Sequence, residues 1–392
     1  MKILKSIFNV FTSYGMACIL FLLLLVLVFV GTLAQVEHGL FYAQKYYFDS
    51  YYTIHYAFDT IPVPLPGVFL LLILLSINLI AGGIFRMRKD WRRAGVLIIH
   101  LGILFMLMGG LVKRVYATEG QMTLFPGDSA AQYESYTLWE IGVAPANQEG
   151  EVTEYIIDDP EFTDMNPDES RTFTNEAWPF DLEITEYMRN SQPLPSSGNP
   201  MRPAIDGFYL QPLQPEQQAE TNVAGAYVTI IDKDTGEEQM GLVWGKSWWR
   251  EIEPWAFEFD GETWAVELRK KRYDVPFTIT LDKFERELHP GTQMAKRFSS
   301  FVTKQEPAMP EQNIHIQMNE PLRHEGITVY QSSWGPPNAP PGTPLYSGFS
   351  VVRNPSDQWP LYACIVISIG LVLHFSLKLT NYVRAEARRS SR

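Results

Sequence analysis

The sequence predicts an α+β membrane protein: four transmembrane helices and one large, mostly antiparallel β-domain inserted between the third and the fourth. Three observations carry this expectation. Long apolar runs are confined to the first 112 residues and to the stretch after Trp359, so the whole-chain mean hydropathy of −0.09 averages two unlike materials. The polar middle alternates apolar and polar side chains with a period of two, as strands with one buried and one wet face require. Lys and Arg gather in three short segments that an even number of crossings would place on one side of a bilayer.

Four runs qualify as spans: 16–34, 63–85, 94–112 and 361–377. Each has roughly the 17–25 residues needed to cross about 30 Å of hydrocarbon. A lone segment in lipid must satisfy its own backbone, which makes helix the reading for each. Pro62, Pro64 and Pro66 are expected at the start of the second helix, where a missing amide donor costs little. Lys2 and Lys5 before an apolar run also fit a secretory leader. The run is too long for a leader core, and Gly31 to Gln35 makes a poor cleavage site, so an uncleaved first span is expected.

Lys2 and Lys5, the loop FRMRKDWRR with Arg86, Arg88, Lys89, Arg92 and Arg93, and the tail with Lys378, Arg384, Arg388, Arg389 and Arg392 should all be cytoplasmic. The expected organisation is then three spans in 1–114, an extracytoplasmic β-rich domain in 115–357, and the fourth span with a basic tail in 358–392. Both termini would face the cytoplasm and the chain would sit in the inner, cytoplasmic membrane. Residues 115–357 hold 17 Lys and Arg against 39 Asp and Glu, a net charge of −22. Such a domain is a poor nucleic-acid binder, because phosphate contacts need cations. Cys18 and Cys364 both fall in predicted spans, which leaves the outer domain without disulfide or thiol chemistry.

Within the outer domain, 149–176 is acidic and poor in hydrophobes, and 190–222 is rich in Pro, Gln and Ser; both read as loops or insertions. Phe277, Ile279 and Leu281, and again Ile314, Ile316 and Met318, alternate with polar residues as strands would. Asp234-Thr235-Gly236, Asp260-Gly261 and Glu325-Gly326 are expected turns, with glycine supplying positive φ. A sandwich or open barrel follows. The tryptophans, from Trp139 to Trp334, are expected in its core or at the membrane interface.

Histidine inside a span is the most informative candidate for chemistry, since an ionisable group in hydrocarbon normally faces a partner, a cavity or a cofactor. His100 lies about 7 residues, or ~10 Å of helical rise, beyond Arg93, and His374 lies four residues, or ~6 Å, before Lys378. Both therefore fall in the cytoplasmic half of the bilayer. Neutral imidazole can ligate haem iron, and it can equally serve as a packing hydrogen bond between helices. Gly82, Gly83, Gly102, Gly109 and Gly110 permit close helix approach, with ordinary bundle packing the simpler use. His289, His315 and His324 lack zinc-like spacing. No nucleophile elbow, P-loop or dinucleotide fingerprint occurs, nor the CxxCH of covalent haem attachment, so no catalytic residue is assigned.

The blocks LRKKRYDVPFTITLDKFERELHPGTQMAKRFSSFV (268–302), IQMNEPLRHEGITVYQSSW (316–334) and VVRNPSDQWPLYACIVISIGLVLHF (351–375) resemble ResB, also called CcsB, of system II cytochrome c maturation. GTLAQVEHGLFYAQKYYFDSYY (31–52) and DWRRAGVLIIHLGILFMLMGGLV (90–112) are similar to one branch of that family. The resemblance implies an accessory role in delivering haem b across the membrane to apocytochrome c, beside a ResC/CcsA-type membrane partner. It implies that His100 is a haem-iron ligand at the entry site and leaves His374 a weaker candidate. The Trp244 to Trp249 segment looks superficially like the partner's tryptophan-rich motif and is taken as coincidence. Pro290-Gly291-Thr292 is expected to be a turn, and Met318 to Leu322 structural. The other functional classes open to this sequence are a b-type electron carrier with His100 and His374 as intrachain axial ligands, and a haem-free membrane scaffold.

Overall fold

The computed structural model describes residues 8–57, 60–146, 152–166, 169–196, 203–246, 252–292, 295–336, 340 and 342–390. Two compact units result, Met1–Ala117 with Asn354–Arg392, and Thr118–Arg353.

The first unit holds four helices: α1 (Tyr14–His38), α2 (Val68–Asn78), α3 (Ala94–Tyr116) and α4 (Trp359–Ser390). α2 continues without a break into a π-helical stretch, Leu79–Phe85. With that extension all four are long and apolar enough to cross a membrane, and the chain is a multi-pass membrane protein. Ser13 caps α1, its Oγ accepting from Met16 N at 3.1 Å, and Gly39 at φ 86° ends it. Leu20, Leu27 and Ala34 of α1 bury against Val68 and Leu71 of α2.

α3 and α4 meet through small residues. Gly95, Gly102 and Gly109 recur every seven positions and are all buried, opposite buried Ala363 and Gly370. A Cβ on Gly95 would come 2.6 Å from Gly370 O, and one on Gly102 would come 2.6 Å from Ile367 Cγ1. Absent side chains are what let the backbones approach. Gly110 meets nothing within 4 Å, so the close contact expected of it is made by Gly95 instead.

The prolines expected in the second helix are not helical. Pro62, Pro64 and Pro66 lie in a strand, β2 (Ile61–Pro66), paired antiparallel with β1 (Tyr52–Ala57). The residue before a proline is pushed out of the α region, and here Ile61, Val63 and Leu65 each precede one. Alternate prolines thus enforce extended chain, and the helix begins only after Gly67.

The second unit is antiparallel throughout its named strands. These are β3 (Thr118–Leu124), β4 (Ser129–Pro145), β5 (Tyr155–Asp158), β6 (Ser170–Thr174), β7 (Phe180–Met188), β8 (Ser191–Pro195), β9 (Phe208–Pro212), β10 (Gly225–Asp232) and β11 (Glu238–Trp244), then β12 (Trp255–Phe259), β13 (Glu262–Leu288), β14 (Ala295–Gln305), β15 (Gln312–Gln317), β16 (Leu322–His324), β17 (Ile327–Gly335) and β18 (Tyr346–Arg353). One sheet runs β11-β10-β7-β6, and a larger one runs β15-β14-β13-β4-β3-β18-β17-β16, with β12 on β13 and β5 on β4.

Two cores result. In the first, Phe180, Leu182, Ile184 and Val228 of the four-stranded sheet pack on Trp139, Ile141, Val143, Trp264, Val266 and Leu268, as in a sandwich. The second gathers Tyr133, Phe277, Ile279, Leu281, Val302, Val329, Phe349 and Val351 from one sheet curled on itself. Ser300 on β14 and Ser347 on β18 share a 2.8 Å hydrogen bond, although their strands are far apart in sheet order. Sandwich and open barrel are therefore both present. β4 and β13 run through both cores, with register breaks between Lys270 and Arg272 and between Asp274 and Ile279.

The expected turns form. Asp260-Gly261 (φ 49° and 79°) and Glu325-Gly326 (φ 46° and 76°) are two-residue hairpin links with both φ positive, which fits the twist of the strands they join. The two expected loops are more ordered than composition suggests. The first contains β5 and β6, held by Ile157, Phe162 and Met165 in the core; the second contains the β8–β9 hairpin, anchored by fully buried Leu210. A few well-placed apolar residues outweigh an acidic or proline-rich average. Met318 follows the end of β15 and is 54% exposed, outside the alternation expected of it, because the chain turns between Gln317 and Glu320. Trp139, Trp178 and Trp264 are core residues, whereas residues 247–250, with Trp248 and Trp249, lie outside the described residues.

Candidate functional site

His100 sits one and a half turns into α3, on the face toward the π-helical end of the second span. Its Nδ1 lies 3.0 Å from Gly83 O. A carbonyl can only accept, so Nδ1 carries the proton, and in the neutral ring Nε2 keeps a free lone pair. A backbone carbonyl that fixes the tautomer in this way leaves the other nitrogen ready to bind a metal.

Local sequence creates this contact. In the π-helical stretch the bonds run five residues back, as in Arg86 N to Ala81 O at 3.1 Å. That loosened turn changes the direction of its carbonyls, a geometry that recurs at functional sites. Gly83 also leaves room for the ring, since a Cβ there would come 2.8 Å from His100 Nδ1 and 3.1 Å from Cε1. The stretch is pinned to the chain before α1. Asn78 Nδ2 donates to Phe11 O at 2.5 Å, Arg86 Nη1 donates to Thr12 Oγ1 at 2.8 Å, and a Cβ on Gly82 would meet Thr12 O at 2.9 Å. Asn78 is thus a helix-to-loop clamp.

His374 occupies a different interface. It lies on α4 where Gly95 packs, and a Cβ on Gly95 would come 2.8 Å from His374 Cβ. Its Nδ1 is buried and meets no hydrogen-bond partner among the described residues, a state that costs roughly 1–3 kcal/mol. His100 is five residues after Gly95, about 140° around the helix at 3.6 residues per turn. The two imidazoles therefore serve different neighbours of α3, one the second span and one the fourth.

His55 Nδ1 pairs with Tyr47 Oη at 2.8 Å, and His315 stacks on Phe301 with centroids 4.6 Å apart. His324 belongs to a cluster that spacing alone did not reveal. Lys304 Nζ lies 2.5 Å from Glu306 Oε1 and 3.3 Å from His324 Nδ1, while His324 Nε2 lies 3.1 Å from Glu306 Oε2. The lysine donates to Nδ1, so the neutral ring donates from Nε2 to the carboxylate, and both nitrogens are used. The hydrogen bond from Lys304 holds the Glu306 carboxyl below its usual range. Lys304 lies near the end of β14, Glu306 just after it and His324 at the end of β16, and the curl of the sheet, not the pairing of neighbouring strands, brings them together. No set of three or more His, Cys, Asp or Glu side chains placed to hold a metal ion occurs among the described residues.

A second charged cluster lies where β4 and β13 change register. Arg269, 6% exposed at its side chain, binds Glu140 at 2.9 Å, Glu154 at 2.5 Å and Glu267 at 2.7 Å, and Arg272 adds a 2.7 Å contact to Glu154. Beside it Lys270 donates to Tyr136 O at 3.0 Å and lies 4.0 Å above the Trp139 ring. Burial pushes the Lys270 ammonium down to about 8.

Comparison with known proteins points to the same half of the β-domain. Residues 259–340, from the end of β12 through β17, match the ResB-like family model. The chain is 32% identical over 71 residues to a cytochrome c biogenesis protein CcsB of Synechococcus sp. (strain RCC307). It is 34% identical over 70 residues to the CcsB of Prochlorococcus marinus (strain NATL2A), and each match covers 18% of this chain and 16% of the relative. The spans and both intramembrane histidines lie outside the family-model match, whereas the His324 cluster and Arg269 lie inside it. The likeness to ResB-like and CcsB proteins is thus carried by the second half of the β-domain.

Proposed function

We propose that the chain is the ResB-like subunit of a membrane complex in cytochrome c biogenesis, handing haem b across the inner membrane for attachment to apocytochrome c. The observation that carries this reading is the Nδ1–H···O=C bond from His100 to Gly83, which in the neutral ring makes Nε2 the nitrogen with a lone pair to offer iron. Haem iron needs only an axial ligand from protein, because the porphyrin supplies four nitrogens, so one oriented imidazole is a sufficient contribution from this chain. Haem is here the cargo, and His100 its candidate ligand.

The basic segments at Arg86–Arg93 and after Lys378 support a cytoplasmic position for those span ends, with the acidic β-domain on the opposite side, where apocytochrome would be met. A second membrane subunit of the ResC/CcsA type supplies the other axial ligand and the attachment chemistry. His374 is read as a packing residue rather than a paired ligand, since its backbone N and Cβ lie against Gly95 in the α3–α4 seam.

The test is co-expression of the full chain with such a partner and a CxxCH reporter. His100→Ala should abolish haem attachment and the haem spectrum of the purified complex, with a small ligand such as imidazole restoring part of it. Gly83→Val should impair both by displacing the ring, while His374→Ala keeps most activity. Unchanged attachment in His100→Ala would overturn the role assigned to that residue.

A further inference from the structure

The ribbon between the first two spans presents an apolar face that no described residue covers. Cross-strand pairs 52↔66, 54↔64 and 56↔62 put Tyr52, Ile54 and Tyr56 on the same side as Pro66, Pro64 and Pro62. Tyr52 is 71% exposed, Ile54 47% and Tyr56 58%. The opposite face turns inward, with Thr53 buried and His55 bonded to Tyr47. Neither strand carries a Lys, Arg, Asp or Glu; the one charge in 52–66 is Asp59, in the connection between them.

We propose that this Tyr–Ile–Pro face lies in the headgroup layer of the bilayer and holds the ribbon flat against the membrane. Connectivity places it there. Pro66 is separated from the first residue of α2 by Gly67 alone. Six strand residues at about 3.3 Å each keep the whole ribbon within ~20 Å of that boundary. Arg114 near the end of α3 donates to Asp49 O at 2.5 Å and lies 3.7 Å over the Phe69 ring, so the loop, the start of α2 and the end of α3 are level.

The edge of the ribbon fits a half-dry layer as well. In an antiparallel pair, residues alternate between pointing their backbone groups at the partner and away from it. Gly67 N donates to Tyr51 O, so 61, 63 and 65 point inward while Pro62, Pro64 and Pro66 point outward. All three outward positions lack an N–H. The free edge of β2 thus has no amide hydrogen to strip of water, and none to offer an incoming strand. Tyr46 and Tyr51, both exposed beside the ribbon, add two more residues of the type that prefers this layer.

The test uses the full chain in phosphatidylcholine–phosphatidylglycerol vesicles, with Cys18 and Cys364 changed to Ser and one new cysteine carrying an environment-sensitive fluorophore. Labels on Tyr52→Cys, Ile54→Cys and Tyr56→Cys should emit to the blue and lose most of their intensity to lipids bearing a headgroup-proximal nitroxide. A label on Thr235→Cys, in an exposed turn of the β-domain, should respond only to aqueous iodide. Three positions on one face guard against a single variant that fails to fold. Labels quenched by iodide as strongly as that at 235 would overturn the proposal, as would labels shielded from both quenchers, which would mean a protein surface covers the face.

Discussion

The two units solve opposite problems with opposite materials. In the helical unit most large apolar side chains point outward, and α3 and α4 meet through residues with little or no side chain: Gly95, Gly102 and Gly109 against Ala363 and Gly370. In the β-domain the large side chains point inward, and Phe180, Ile279 and Phe349 are wholly buried. Lipid gives no reward for hiding leucine, so close backbone approach and a few hydrogen bonds must hold the helices together. Water gives that reward, and the β-domain can then hold charges such as Arg269 and Lys304 in its interior only by surrounding them with partners.

Substitutions can break this contrast, and the largest effect belongs to the β-domain. Phe349→Ala should destabilise it by about 3–5 kcal/mol, whereas Leu25→Ala, at a lipid-facing position of α1, should leave the helical unit nearly unchanged. Chemical denaturation read by tryptophan fluorescence, beside heating in detergent, makes the comparison. Arg269→Ala should cost roughly 3–5 kcal/mol because it removes the buried partner of Glu140, which then keeps only the longer contacts to Arg272. Arg269→Met together with Glu140→Leu should recover much of that loss.

Next in size comes the glycine seam. Gly102→Leu should cost about 1–3 kcal/mol in the helical unit by forcing α4 away at Ile367, while Gly110→Leu, facing open space, should be tolerated. Resistance to detergent unfolding distinguishes the two. The smallest effect is a pH dependence. The folded-state pKa of Lys270 is depressed to about 8 from 10.5, so between those values the unfolded chain binds more protons and stability rises with pH. The gain should be on the order of 1 kcal/mol by pH 9. It should vanish in Lys270→Met.

Much of this was legible in the sequence, for physical reasons that differ by region. Spans are read from length and apolarity because lipid demands both, and all four fall where the runs do. Phe277, Ile279 and Leu281 declare a strand because a period of two survives any register. Local patterns failed where a distant contact decides. The prolines at 62, 64 and 66 looked like a helix start until their effect on each preceding residue is considered. The acidic stretch around Glu154 looked like a loop, although Arg269, more than a hundred residues away, fixes Glu154 in place. His100 could be chosen as a candidate from its position in hydrocarbon, but not its protonated nitrogen, which depends on a π-helical turn in another span.

The 27-residue strand β13 has a further consequence. Its first third supplies Trp264, Val266 and Leu268 to one core, and its middle supplies Phe277, Ile279 and Leu281 to the other. β4 does the same from the facing side, with Trp139, Ile141 and Val143 in one and Tyr133 in the other. Two halves threaded on a common pair of strands cannot melt one at a time without tearing that pair along its length. Heating should therefore yield a single calorimetric peak, and a tug on one half would be felt as tension in its neighbour.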